Sequence, residues 1–234
     1  LNNLFKFKTK FILRISGFPK LNFLRKILWK ISSKNLFCIT CPTKDLITDL
    51  KKKKIFNENK MFYLQDAIIN ISSYIEKNKE DKKRFEINTK YYNNYFLSVG
   101  RLTKQKNYSY LISEFANYLK DNKQETLLII GEGEDEQKLK KMIKEKYLTK
   151  NVFLLGKIKN VYPYMKKARA LILSSLWEEV GFVIVEAAFS NLFVISSDCP
   201  NGPKEFLENG QAGYLFENNK EDSLSEKLRY FTKE

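Results

Sequence analysis

The sequence predicts an α/β fold: parallel sheets with helices on both faces, arranged as two domains. Three observations carry this. Short apolar runs alternate along the chain with helical patterns, and that succession builds a parallel sheet. In the C-terminal part the apolar runs end at glycines, Gly100, Gly131 and Gly156, where strands give way to loops. At 168–189, a strand, a loop holding Gly181 and an apolar helix follow one another without a breaker. That is the layout in which such a sheet presents polar groups to a nucleotide.

Composition sets the bounds. Of 234 residues, 43% are hydrophobic and 14% aromatic, enough for packed cores and against disorder. The formal net charge is +15 and it is lopsided. Residues 1–90 carry 21 Lys and Arg against 8 Asp and Glu, whereas 91–234 carry 21 against 19. Residues 1–34 hold nine basic side chains and no acidic one. Such a segment attracts anionic membranes or nucleic acid, although a lysine-rich coding bias gives the same count, so both readings stay open. No apolar run approaches the roughly 20 residues of a bilayer span. The run at 11–14 is too short for a signal peptide and is interrupted by Arg14. The chain therefore reads as cytoplasmic, peripheral on the inner face of the membrane if the basic segment docks there. It begins at Leu1 rather than Met, which predicts a fragment. Cys38 and Cys41 have zinc or redox spacing, but with no histidine and only Cys199 besides, four tetrahedral ligands are not assembled. Free thiols are expected.

Taken in order, 11–16 reads as a strand and 21–31 as an amphipathic helix. Leu21, Leu24, Leu28 and Ile31 share one face, Phe23 and Trp29 flank it, and Arg25, Lys26 and Lys30 lie elsewhere. That face can pack on a sheet or rest on a membrane. A strand at 36–40, a helix from Pro42 and Thr43 to about 54, and a strand at 61–64 complete the back half of one α/β domain. Residues 74–93 are crowded with Lys, Glu, Asp and Asn and have no apolar period, so they read as a linker. The domains are then 1–85 and 86–234.

The second domain opens with a strand at 95–99. A loop carrying Arg101 and Lys106 follows, then a helix at 108–120. Cations at the C-terminal end of a first strand are where a phosphate is met, Arg with paired donors and Lys with a mobile point charge. The strand at 126–130 ends in Gly131-Glu132-Gly133, which begins like a dinucleotide fingerprint but has Glu136 in place of the third glycine. A charged helix at 136–146, a strand at 152–155 before Gly156, and a short helix at 161–167 follow. Next come the strand at 168–173, the loop with Glu178 and Gly181, and the helix at 182–189. A helix N-terminus at Gly181, Phe182 and Val183 offers unpaired N–H groups to a phosphate. Glu178 stands before that helix. Glu186 is expected about two turns further in, where a buried carboxylate needs a partner and a ribose diol supplies one. A strand at 192–196, a helical turn at 204–207, a short strand at 214–216 and a helix from 222 end the chain.

Glu178 and Glu186 frame seven residues after a strand ending in Ser174-Ser175, and Ala187 follows. This resembles the signature of family 4 glycosyltransferases, retaining enzymes of the GT-B fold with two Rossmann-like domains. The Gly100-Arg101-Leu102 and Gln105-Lys106-Asn107 loop is similar to theirs as well. Glu179 stands where the family usually has glycine. The resemblance implies that Glu178 lies beside the donor sugar as the catalytic carboxylate and that Glu186 binds the ribose. It further implies that Arg101 and Lys106 clamp the diphosphate, that Gly131 lets the backbone approach the nucleotide, and that the base lies near Lys157 and Ile158. It covers residues from about 95 to 216 nearly continuously and 1–90 faintly, so the first domain is only partly present.

The implied function is transfer of a sugar from a nucleotide-sugar, with retention, to a glycan or lipid-linked glycan of the bacterial surface, such as polysaccharide or lipopolysaccharide. The stretch around Asp198-Cys199-Pro200 is similar to transferases that move N-acetylhexosamines onto undecaprenyl-linked glycans, which points to a UDP-sugar. No Asp-x-Asp motif is present, so no metal and no other cofactor is expected. Two other readings compete with this one. A sugar-nucleotide epimerase or a phosphorylase would need further acid–base carboxylates or a pyridoxal lysine, and neither pattern is evident. A non-catalytic nucleic-acid-binding protein rests on charge alone, without an aromatic–basic recognition motif, so no nucleic-acid partner is expected.

Overall fold

The computed structural model describes residues 9–19, 22–80 and 94–233, leaving aside the side chains of 77–80. Its contacts divide into two compact units between Ala67 and Ile68.

In the first unit, strands β1 (Ile12–Arg14), β2 (Cys38–Cys41) and β3 (Met61–Tyr63) lie side by side in chain order, all parallel. Parallel neighbours require crossovers, here the helices α1 (Phe23–Ser32) and α2 (Lys44–Lys52). Each starts at a side-chain cap: Arg25 N donates to Asn22 Oδ1 at 2.8 Å and Leu46 N to Thr43 Oγ1 at 3.3 Å. On α2, Leu46 and Leu50 are one turn apart and buried among Ile39, Cys41, Ile55, Phe56 and Met61. Helix α1 behaves differently: none of its residues is buried. Leu24, Leu28 and Ile31 are 69%, 60% and 51% exposed, so this face does not pack on the sheet; Leu21 lies outside the described residues. Trp29, expected only to flank that face, reaches the core instead, its ring 5.5 Å from Phe56. Apolar residues surround more than one face of α1, and the widest of them fills the space over the sheet. All three cysteines are free.

The second unit holds six parallel strands: β4 (Tyr95–Val99), β5 (Thr126–Ile130), β6 (Val152–Leu154), β7 (Ala170–Leu173), β8 (Phe193–Ser197) and β9 (Tyr214–Phe216). Their order across the sheet is β6-β5-β4-β7-β8-β9. Alternate residues enter two separate cores. Phe96, Ile129, Ile172 and Ile195 point to one, and Leu97, Leu128, Leu171 and Val194 to the other. Burial on both faces explains why these strands read as unbroken apolar runs. Helices α4 (Tyr108–Tyr118), α5 (Glu136–Glu145) and α9 (Ser223–Phe231) cover the first face. The second is covered by α6 (Tyr162–Met165) and α7 (Phe182–Phe189), while α8 (Pro203–Phe206) follows β8.

One segment departs from its expected state. Where composition indicated a linker, α3 (Ile71–Glu80) is helical and belongs to the second unit. Among its described side chains Tyr74 is the aromatic anchor: it meets Tyr162 and Phe189 edge-on, with centroids 4.6 and 4.7 Å apart. One anchor leaves no period to read. The rest of the expected linker, 81–93, lies outside the described residues. Elsewhere element ends shift by a residue or two.

Candidate active site

The chain runs outward from β4 to β6, then crosses back to place β7 beside β4. At this reversal the loops after β4 and β7 diverge to opposite faces, and a crevice opens outside the strand ends.

The loop after β4 continues the β4–β5 ladder beyond the sheet. Gly100 N donates to Ile130 O and Leu102 N to Glu132 O, both at 2.9 Å. This approach needs glycine opposite. At Gly131, with φ +150, a Cβ would lie 1.8 Å from Gly100 O, and at Gly133 one would lie 2.3 Å from Leu102 O. The Gly-x-Gly pair therefore serves backbone packing beneath Arg101. A 3-10 turn at Lys104–Lys106 then leads to left-handed Asn107, φ 55, and into α4.

The loop after β7 is sewn to that turn. Ser174 Oγ donates to Lys106 O at 2.8 Å, Leu176 N to Gln105 O at 2.8 Å, and Gln105 Nε2 to Trp177 O at 2.9 Å. Glu178 N donates to Pro200 O at 3.2 Å, and Gly202 packs so close that a Cβ would lie 2.2 Å from Val180 O. Gly181, at φ 77, is the N-cap of α7, and no side chain caps it. Glu186 is therefore the fifth helical residue, just over one turn in, or about 6 Å along the axis, and not two.

Glu178 is only 6% exposed, and a buried carboxylate requires partners. It has two, both on Oε1: Lys106 Nζ at 2.5 Å and Ser175 Oγ at 2.5 Å. The groups beneath feel this burial. Desolvation raises the Tyr108 hydroxyl well above the ordinary tyrosine range, opposed by a hydrogen bond with Ser98 and reinforced by the Glu178 charge. Burial likewise pushes the Cys199 thiol up to about 11, a hydrogen bond with Ser197 and the Lys106 charge acting against it while Glu178 and Asp198 add to it.

A cleft of about 390 Å³ opens here, lined by Val99, Gly100, Arg101, Gln105 and Lys106 on one side and by Glu178 to Val183 and Glu186 on the other. Seven expected site residues meet in it: Arg101, Lys106, Glu178, Gly181, Phe182, Val183 and Glu186. Arg101 is exposed, and Phe182, 52% exposed, stands at the start of α7. The other three do not line it. Gly131 lies behind Gly100, its N–H bonded to Gly156 O at 2.8 Å. Lys157 is exposed and pairs with Glu132 at 3.1 Å, and Ile158 packs half-buried against the second core. Two contributors were not anticipated, Gln105 and Ser175. A serine pair ending a buried strand was the available signal, because hydroxyls there must have partners. Two cations and open helix N–H groups suit an anion, and a carboxylate one turn along the helix suits hydroxyls.

The model of the family described as glycosyl transferases group 1 matches residues 78–234. A Campylobacter jejuni protein is 29% identical over 233 residues, 95% of this chain and 60% of that protein. Its name is N-acetylgalactosamine-N,N'-diacetylbacillosaminyl-diphospho-undecaprenol 4-alpha-N-acetylgalactosaminyltransferase. An uncharacterized glycosyltransferase of Methanocaldococcus jannaschii is 40% identical over 112 residues, 48% of this chain and 28% of that protein. Among solved structures, HepE of Anabaena in complex with UDP matches with a TM-score of 0.81 at 16% identity, over 97% of this chain and 63% of that one. A glycosyltransferase from Rickettsia africae matches with a TM-score of 0.81 at 17% identity, over 97% and 62%. The likeness establishes the fold as that of GT-B glycosyltransferases. The chain spans less than two thirds of the length of each of these relatives.

Proposed function

The chain belongs to the glycosyl transferases group 1 family, and we propose that it transfers a sugar from a UDP-sugar to a glycan or lipid-linked glycan, with retention, in surface polysaccharide or glycoconjugate synthesis. In this reading the second unit, from Ile68 onward, holds the donor and the first unit belongs to the acceptor side. The observation that carries it is the cleft at the sheet's reversal, where Arg101, Lys106, Glu178 and Glu186 converge beside the start of α7. The solved UDP complex of HepE and the undecaprenol-linked substrate in the name of the Campylobacter relative support donor and acceptor class respectively.

The chemistry follows from charge. When the anomeric carbon leaves the diphosphate, the electron pair departs with UDP, and negative charge grows on the phosphate oxygens. Groups already in place that bind this charge more strongly than the ground state lower the barrier. Arg101, Lys106 and the N–H groups at Gly181, Phe182 and Val183 are suited to it. Glu178 lies against the donor sugar, Glu186 accepts from the ribose hydroxyls, and the base reaches toward the Lys157–Ile158 loop. Positive side chains and helix N–H groups supply the neutralisation that an Asp-x-Asp metal site provides elsewhere, so the reaction is metal-independent. The test is UDP release from UDP-N-acetylhexosamines with an undecaprenyl-diphosphate-linked acceptor: release that persists in EDTA is expected, and its abolition contradicts metal independence.

Helix α1 is the membrane-facing element in this reading. Its exposed Leu24, Leu28 and Ile31 accompany Arg25, Lys26 and Lys30, with no acidic residue in the helix. Such a helix lies in an anionic interface. Among the described residues no helix is long and apolar enough to cross a membrane.

A further inference from the structure

Glu178 presents its two carboxylate oxygens unequally. Oε1 receives both Lys106 Nζ and Ser175 Oγ, each at 2.5 Å. Among the described residues no donor ends on Oε2, although Glu178 lines the cleft. Lys106 is also one of the two cations the cleft offers to a diphosphate. A ligand that draws Nζ toward its phosphate oxygens therefore removes one of the two donors from Oε1.

Ser175 cannot make that move. It is fully buried just past the end of β7, and its carbonyl accepts from Ser197 Oγ at 2.7 Å. The neighbouring Ser174 Oγ holds the carbonyl of Lys106 at 2.8 Å, so the lysine backbone is held while its long, unbranched side chain can turn toward the cleft it lines. The two donors thus differ in kind, one mobile and shared with the ligand, the other immobile.

We propose that Ser175 is a positioning residue: its hydroxyl keeps Oε1 of Glu178 turned into the protein, so that Oε2 faces the hydroxyls of the donor sugar once Lys106 has turned to the diphosphate. This rests on reading the cleft as a nucleotide-sugar site. Without the hydroxyl, the carboxylate follows Lys106 or rotates, and recognition of the sugar loosens while recognition of the nucleotide does not.

Two measurements test it. The first needs no ligand. In a thermal-denaturation cycle, Ser175→Ala lowers Tm in the native background, because it removes a bond to a buried carboxylate, and has little effect beside Glu178→Ala. Strictly additive effects overturn the proposal, since they mean the two groups do not interact. The second is calorimetry with UDP and with whichever of UDP-N-acetylgalactosamine, UDP-N-acetylglucosamine or UDP-glucose binds the native chain most tightly. Ser175→Ala is expected to leave UDP affinity within roughly twofold and weaken the sugar donor about tenfold, the effect of one lost charged hydrogen bond. Equal weakening of both, or of neither, overturns the positioning role. A native chain that binds no UDP overturns the nucleotide reading, and the role with it, even where the denaturation cycle shows coupling.

Discussion

The two units share one construction, parallel strands joined by helical crossovers, and differ in how fully their sheets are covered. In the six-stranded sheet alternate residues enter two cores, one on each face. Among the described residues the three-stranded sheet has one core cluster, and α1 contributes no buried residue to it. The difference shows why the candidate site lies where it does. Holding Glu178 at 6% exposure takes loops fixed on several sides, and only a sheet covered on both faces supplies neighbours on every side. The first unit instead presents apolar side chains of α1 outward, beside Arg25, Lys26 and Lys30.

This contrast can be broken at its stiffest point. Gly131→Ala places a methyl group against Gly100 O at a backbone angle that suits only glycine. The expected loss is roughly 3 kcal/mol of stability, read as a lower denaturant midpoint, together with weaker UDP binding as the Arg101 loop moves. An unchanged midpoint would mean that the loops are not packed as described.

Burial in the second unit also makes stability depend on pH. The second unit buries Cys199, Tyr95 and Tyr108 in their neutral forms and half-buries Tyr110, each raised chiefly by desolvation. A group whose folded pKa is raised contributes stability that is complete below its unfolded value and disappears as pH climbs through the folded one. For Cys199 that window runs from 9.0 to about 11, and the tyrosines extend it upward. Tm should fall across it, by the equivalent of about 3 kcal/mol for the thiol, and Cys199→Ala should remove that part. A flat profile counts against these groups being buried. The smallest effect belongs to α1: Leu28→Ala, at a position 60% exposed, should change stability by less than about 0.5 kcal/mol while reducing co-sedimentation with anionic vesicles. A large loss of stability would show that this face is packed.

Legibility in the sequence followed the same division. The strands at Tyr95–Val99, Thr126–Ile130 and Tyr214–Phe216 and the helix at Phe182–Phe189 were readable to the residue. Continuous burial writes a continuous apolar run, and glycines mark where the run stops. Helix α3 was not readable, because one tyrosine anchors it. In α1 apolar residues on several faces concealed that Trp29, not the leucines, turns inward. At the site, the two glutamates and two cations were legible as charged residues beside apolar elements. The pairing of Lys106 with Glu178 was not, for it joins loops 72 residues apart, nor was the immobile hydroxyl of Ser175, a residue type that occurs in any loop.

In the proposed function the cleft between the Arg101 and Glu178 loops holds a nucleotide diphosphate with its ribose on Glu186. Calorimetric titration of UDP into the native chain, beside Arg101→Ala and Glu186→Ala, tests it most directly. Micromolar binding is expected, weakened by each substitution by about 1–3 kcal/mol, the range for a lost charged hydrogen bond. Native binding that neither substitution alters, or no binding of UDP at all, would contradict it.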